Sequence, residues 1–513
     1  MRLFAIDERA ARCGHHQHGV NASMYIVMVA SECAPVAVSG GLGDVVFGLS
    51  RELEVRGHAV EIILPKYDCL RYDQVWGLTC NSRDLRVPWY GGAINCSVWF
   101  GFVHGRKCFF IEPHSRDNFF NRGTFYGCPD DAMRFAFFSK AALEFMLKSN
   151  KRPEVIHCHD WHTGLLPVLL FEMYKFGGMP NQRVCYTVHN FRHQGTAGPE
   201  VLSATGLGRP GYFLHADRLA DPSNPGRVNF LKSGIVYANF VTTVSDRYAW
   251  EVRHTLEGHG LGHVLYVHRS KFGGIRNGVD YDVWNPEVDL LIPHRYGIRN
   301  IQTKYLDKEA LRNRLWLRQG LKPIIAYVGR LDFQKGAHLV RHTLFYSLAN
   351  GAQFVCLGAS PDPALNREFW GLKHRFNDHP DCHLELRFDE ALAHMIYAGA
   401  DMLVVPSNFE PCGLVQMIAL KYGTVPIVRA VGGLADSVFD RDNSERPFEQ
   451  RNGYVFHQPD VPGLESALRR ALGLWYTFPE EFRKLMLNDM RCDYSWTAPG
   501  QHYLNVYEYI RHK

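Results

Sequence analysis

The sequence has no apolar run near the ~20 residues that a membrane-spanning helix needs. It has no run of five or six like charges either. Its 57 Lys and Arg nearly balance 52 Asp and Glu, leaving a formal charge of +5. That balance gives no support to nucleic acid or a membrane surface as partner, and it suits a small anionic substrate. No C-x-x-C pair occurs among the 13 cysteines, whose number is odd. Several sit in apolar stretches such as Val184-Cys185-Tyr186 and Val355-Cys356-Leu357. They read as buried free thiols, the usage of a reducing, cytoplasmic compartment. The glycine-rich stretch Ser39-Gly40-Gly41-Leu42-Gly43-Asp44, between a strand and a helix, is not G-x-G-x-x-G and so is no dinucleotide fingerprint, and there is no internal repeat. Residues 1–23 lack the apolar core of a secretory signal. They read as a disordered extension or as sequence upstream of a start at Met24; a metal-binding His tail is the alternative.

What is present is an ordinary globular composition, 46% hydrophobic and 21% charged, on a chain long enough for several domains. Buried-strand runs alternate with helical patterns. Strands are expected at 25–30, 59–64, 108–112, 155–158, 183–188 and 240–244, with helices at 45–56, 131–147 and 164–174. The pattern restarts with strands at 324–328, 354–357, 383–388, 402–405 and 426–429, and helices at 336–349, 391–398 and 413–422. Alternation of this kind predicts parallel sheets. The fold class is α/β: two doubly wound, Rossmann-like domains facing each other across a deep cleft. The aperiodic stretch 281–304 holds the boundary. It gives an N-terminal domain over 24–285, a C-terminal domain over 286–495, and a last helix within 496–513 that returns to the first domain. Ligands bind at the C-terminal strand edges of such sheets.

Five segments fall at those edges. Ser39-Gly40-Gly41-Leu42-Gly43-Asp44 follows a strand and opens a helix, where glycines let backbone N–H groups approach a phosphate. A plain tight turn, with Asp44 as a first-turn helix acid, is the competing reading. His157-Cys158-His159-Asp160-Trp161-His162 has metal-like composition, yet its alternate-residue spacing at a strand end favours ligand contact or hydrogen bonding between domains. Thr187-Val188-His189-Asn190 delivers a histidine and an amide to the cleft, or a structural His. Gly329-Arg330-Leu331-Asp332-Phe333-Gln334-Lys335-Gly336 places two cations beside a helix N-terminus. That makes a cradle for a diphosphate leaving group without a metal ion; the alternative is a solvated basic loop. In Pro406-Ser407-Asn408-Phe409-Glu410-Pro411-Cys412-Gly413-Leu414, the proline holds Glu410 extended, so its carboxylate can meet sugar hydroxyls or simply start a helix.

Together these segments resemble the bacterial glycogen synthase and plant starch synthase family of retaining glucosyltransferases. The likeness runs from Met24 to the C-terminus. Its most specific pieces are Ala30-Ser31-Glu32-Cys33-Ala34-Pro35, Gly40-Gly41-Leu42-Gly43-Asp44-Val45, His159-Asp160-Trp161-His162, Asn277-Gly278-Val279-Asp280 and Glu410-Pro411-Cys412-Gly413-Leu414. The resemblance implies a GT-B fold and transfer of glucose from ADP-glucose to the non-reducing end of an α-1,4-glucan such as glycogen. It implies retention of configuration, no metal and no cofactor. It implies that Arg330 and Lys335 grip the diphosphate, that Glu410, His189 and Asp44 surround the transferred glucose, and that Asn229 holds a sugar hydroxyl. Gly40, Gly41, Gly329, Cys412, Gly413 and Leu414 would line the donor, and Tyr126, His159 and Asp160 the acceptor. The mechanism it implies is front-face attack by the acceptor hydroxyl, with no carboxylate nucleophile.

The sequence departs from the family pattern at four places. Val38 stands where the family has Lys, Val415 where it has Thr, Asn408 where Arg is frequent, and Ser233 where Gly is frequent. Loss of one cationic contact costs about 1.5–3 kcal/mol, or roughly 10- to 100-fold in rate. These departures keep two alternatives open: a weak or non-catalytic glucan-binding paralogue, and a GT-B transferase preferring UDP-glucose.

Overall fold

The computed structural model describes residues 23–513; the rest of the N-terminal extension lies outside the described residues. The first strand, Tyr25–Val29, is apolar along its length and covered on both faces, as a central parallel strand must be. From it the chain winds outward through Ala59–Pro65 to Arg106–Pro113. It then returns to the opposite side of the first strand and winds away through Val155–His159, Arg183–Val188, Phe240–Thr243 and Phe272–Gly274. All seven strands run parallel. An antiparallel hairpin, Val75–Trp89 and Gly92–Val103, extends the edge beyond Arg106–Pro113.

The second sheet repeats the device with six parallel strands. Ile324–Val328 is followed outward by Gln353–Leu357 and Cys382–Glu385. The chain then crosses back to place Met402–Val405, Val425–Arg429 and Tyr454–Phe456 on the other side. Each sheet thus has one point where neighbouring strands send their connections in opposite directions. In the first sheet it lies between Tyr25–Val29 and Val155–His159, and in the second between Ile324–Val328 and Met402–Val405. The crevice outside the strand ends at such a point is where open α/β sheets bind ligands.

Two chain crossings join the halves and pair with each other. The Val279 N–H donates to the Tyr494 carbonyl at 2.7 Å, and the Tyr494 N–H donates to the Tyr281 hydroxyl at 2.8 Å. The Trp496 indole fills the slot between Gly48 and Gly278, where an added Cβ would lie 2.0 Å and 2.7 Å from it. The last helix, Thr497–Arg511, buries Tyr503, Leu504, Tyr507 and Ile510. Its Tyr507 hydroxyl bonds His157 Nδ1 on the first sheet at 2.7 Å.

Most expected elements recur within a few residues, with three differences. The helix expected from residue 45 starts at Gly41, so the glycines form its first turn rather than a turn before it. The helix expected over 164–174 is an α segment, Leu166–Leu169, running into a π segment, Leu170–Tyr174. The Val75–Trp89 and Gly92–Val103 hairpin was not expected. Its pairing shifts register between Trp76 and Thr79, between Cys80 and Ser82 and between Ser82 and Leu85, which erases the alternation that announces a strand.

Candidate active site

The loops leaving the two switch points carry nearly all the singled-out residues. On the first domain, the segment after Tyr25–Val29 contains Glu32, a residue to which the sequence reading gave no role. Its carboxylate is buried and triply bound. One oxygen accepts the Ser39 and Gly40 N–H groups at 2.7 and 3.2 Å, and the other accepts the Tyr126 hydroxyl at 2.6 Å. Burial pushes the Glu32 carboxyl up, while hydrogen bonds and the Arg330 charge oppose that shift. Glu32 therefore fixes the glycine turn and Tyr126 together. The sequence signal for it was an acid at the end of a fully apolar strand. Tyr126 also bonds the Ser31 hydroxyl at 2.8 Å, and its ring stacks on His162 with centroids 4.7 Å apart.

Asp44, one turn into the helix begun at Gly41, is open to the cleft but hemmed in by protein. That setting, with Glu32, Asp280 and Glu390 nearby, pushes its carboxyl up to about 7. Asp160 ends the strand at the switch point with φ 55° and ψ −179°, a conformation that is costly for a residue with a side chain. The strain turns its carboxylate to accept the His189 N–H at 2.7 Å. Burial raises Asp160 to about 7 and lowers His189 to about 3, so His189 is a neutral imidazole.

Two expectations fail here. His159 has no exposed surface, so it does not meet an acceptor; its Nδ1 lies 3.1 Å from His189 Nε2. Asn229 is likewise wholly buried. Its carbonyl oxygen caps the helix Phe230–Tyr237, and its amide donates to Gln194 and Asp221 at 2.6 and 2.7 Å. The amide is saturated by the fold rather than offered to a sugar. Among the described residues, no three His, Cys, Asp or Glu side chains group as a metal site.

On the second domain the two loops at the switch point face each other. The Asn408 amide donates to the Phe333 carbonyl at 2.6 Å and ties them together. Gly329 ends the strand Ile324–Val328 and leads into Arg330. Lys335 pairs with Glu410 at 2.5 Å, and Ser407 donates to the same Glu410 oxygen at 3.0 Å, leaving the second oxygen free of both. Arg330 is more than half exposed, with Asp332 at 3.5 Å its only acid partner among the described residues. Gly336 starts the following helix with φ +71°, and a Cβ there would lie 2.3 Å from the Pro406 carbonyl oxygen; only glycine lets these loops approach so closely. Burial pushes the Cys412 thiol up to about 12 and keeps it neutral. Gly413, φ +72°, and Leu414 lead into the helix Val415–Lys421.

The halves meet across the cleft. A Cβ on Gly41 would touch Leu414 at 3.8 Å, the Arg192 guanidinium lies 5.6 Å from the Phe409 ring centroid, and Ser245 donates to the Pro411 carbonyl at 2.7 Å. Of the four departures, Val38 is an exposed apolar residue at the glycine turn, and Ser233 donates to the Asn229 carbonyl at 2.6 Å. Val415 opens the helix that follows Leu414.

Two facing doubly wound domains, with a cationic loop on one and a glycine turn on the other, define a GT-B glycosyltransferase. Comparison with known proteins is more specific. The family described as starch synthase catalytic domain matches residues 25–267, and that described as glycosyl transferases group 1 matches residues 309–484. A protein named glycogen synthase 1 from Synechococcus sp. (strain JA-3-3Ab) is 64% identical over 96% of this chain and 100% of its own length. Glycogen synthase 2 of Methylococcus capsulatus is 62% identical over 94% of this chain and all of its own. The catalytic domain of starch synthase IV from Arabidopsis thaliana, solved bound to ADP and acarbose, superposes with a TM-score of 0.93 at 43% identity, covering 96% of this chain and 100% of that one. The chain belongs to the glycogen synthase and starch synthase family.

Proposed function

We propose that this protein transfers glucose from ADP-glucose to the non-reducing end of an α-1,4-glucan, retaining the configuration at the anomeric carbon. The observation that carries the reading is the pair of loops at the second switch point, which bring Arg330, Lys335 and Glu410 to one edge of the cleft opposite the Glu32-held glycine turn. Full-length identity to glycogen synthases supports the acceptor. The ADP and acarbose bound in the starch synthase IV structure support a nucleotide and a glucan-like ligand as the pair this cleft takes.

In this reading the diphosphate lies over the Gly329–Gly336 loop. Arg330 and Lys335 take up the negative charge that grows as the glycosidic oxygen leaves, work that needs no metal ion. The free Glu410 oxygen accepts from hydroxyls of the transferred glucose. His189, neutral, offers a hydrogen bond and not a charge. Asp44 lies beside the reacting sugar, and Tyr126 faces the incoming glucan. The acceptor 4-hydroxyl attacks the face that the phosphate leaves, and the departing phosphate takes its proton. The test is incorporation of labelled glucose into glycogen by purified protein. ADP-glucose is expected to be used faster than UDP-glucose, and glycogen to be required or strongly stimulatory. Faster use of UDP-glucose would overturn the donor assignment, and glycogen binding without incorporation would favour a non-catalytic role.

A further inference from the structure

Two sets of buried polar contacts, joined by one ring resting on another, lie between the C-terminal helix and His189. Tyr507 Oη is 2.7 Å from His157 Nδ1, and His157 Nε2 is 2.6 Å from Thr187 Oγ1, which in turn lies 2.6 Å from Thr242 Oγ1. Both nitrogens of His157 are thus spoken for and its ring is fixed. His159 lies against that ring, centroids 4.2 Å apart, and its Nδ1 is 3.1 Å from His189 Nε2. His159 Nε2 is buried and has no partner among the described residues. His189 Nδ1 makes no hydrogen bond among those residues, and His189 itself is half-buried.

These facts fix where the protons sit. An orphaned buried N–H costs more than an orphaned lone pair, so the proton of neutral His159 belongs on Nδ1 and its lone pair on the unpartnered Nε2. The His159 Nδ1–H then donates to His189 Nε2, which must accept. The proton of neutral His189 is left on Nδ1, the nitrogen that is free of the protein. We propose that His159, backed by His157 and Tyr507, is a positioning residue that holds His189 as its Nδ1–H tautomer, a neutral donor aimed at a hydroxyl oxygen of the sugar in the cleft. The catalytic use of that donor rests on the function proposed above, whereas the tautomer does not. The last helix contributes by packing: Tyr507 fixes the His157 ring, and the His159 ring rests on it.

Asparagine places an N–H where histidine has Nδ1, so His159→Asn keeps the donor that His159→Phe removes. With ADP-glucose and glycogen, His159→Phe is expected to lower kcat by about 30- to 100-fold, the scale of a misaligned catalytic group, with KM for ADP-glucose within about twofold. His159→Asn should recover to within about fivefold of the parent, and Tyr507→Phe should lose about three- to tenfold in kcat. Nitrogen-15 NMR of histidine-labelled protein, with His189 assigned by the signal missing from His189→Asn, reads the tautomer directly. Protonation on Nδ1 is expected in the parent and in His159→Asn, and a mixture in Tyr507→Phe. His189 carrying its proton on Nε2 in the parent overturns the proposal, even if the protein proves inactive with ADP-glucose. So does a His159→Asn enzyme as slow as His159→Phe, or a Tyr507→Phe enzyme indistinguishable from the parent in kcat and tautomer. If His159→Phe does not fold, the comparison of parent, His159→Asn and Tyr507→Phe still decides.

Discussion

Arg330 and Lys335 carry the same charge in different surroundings, so their removal should have different consequences. Arg330 is exposed at the cleft edge, and Arg330→Ala is expected to change stability by less than ~0.5 kcal/mol. Lys335 pairs with the buried Glu410, and Lys335→Ala leaves that carboxylate with Ser407 alone, at a cost of about 1–3 kcal/mol. Both variants should lose about 100-fold or more in glucose transfer. Thermal melts beside transfer assays check the split; equal melts for the two variants would remove the structural part of the Lys335 argument. Val38 exposes an apolar side chain at the glycine turn, where a cation would add a contact to an anionic donor. Val38→Lys is expected to raise kcat/KM for ADP-glucose by roughly 10-fold. Unchanged or lower activity would show that the turn works without that charge.

At the scale of elements, Gly336 shows why two loops from separate strands can share one site. Gly336→Ala puts a Cβ 2.3 Å from the Pro406 carbonyl at a left-handed backbone position. It is expected to cost about 1–3 kcal/mol and to lower activity by pulling Lys335 from Glu410. A variant with parental melting and transfer would contradict that close approach. The sequence announced these loops well, because Gly329-Arg330 and Glu410-Pro411 each stand directly between an apolar run and a helical period. It announced the helix at Gly41 late, because glycine looks like a breaker and Glu32, which holds the preceding turn through the Ser39 and Gly40 N–H groups, lies seven and eight residues earlier. It hid the Val75–Trp89 hairpin behind shifted register. It misread Asn229 and His159 because a polar residue at a strand end looks the same in sequence whether it faces a cleft or the fold. Only burial, a long-range property, tells the two apart.

The whole molecule buries more histidine beneath its cleft than its charge balance suggests. Burial holds His157 and His189 neutral down to about 3, and His159 and His162 lie well below the usual value. In the unfolded chain each binds a proton near ~6.5, so between about 3 and 6.5 the unfolded state holds more protons and stability falls as pH falls. Asp44 and Asp160, raised to about 7, act the other way, since the folded state keeps their protons over about 4 to 7. Glu32 and Asp489 are pushed up by burial as well, so the histidines are read by difference: between pH 6.5 and 5 the melting midpoint of the parent is expected to fall relative to that of His162→Gln, which lacks one buried neutral imidazole. A difference that stays constant over that range would mean that His162 is not held neutral. The second crossing is as demanding sterically: a methyl at Gly48 would displace Trp496, which seals the junction of the two halves.

All of this converges on one electrostatic arrangement, in which fixed cations at the second switch point receive the departing nucleotide. Calorimetric titration of ADP into the parent, Arg330→Ala and Lys335→Ala proteins, with a chelator present to remove divalent ions, measures it directly. The parent is expected to bind, and each variant to bind about 10- to 100-fold more weakly. ADP affinity that is unchanged in both variants, or that vanishes from the parent with the chelator, would contradict the account.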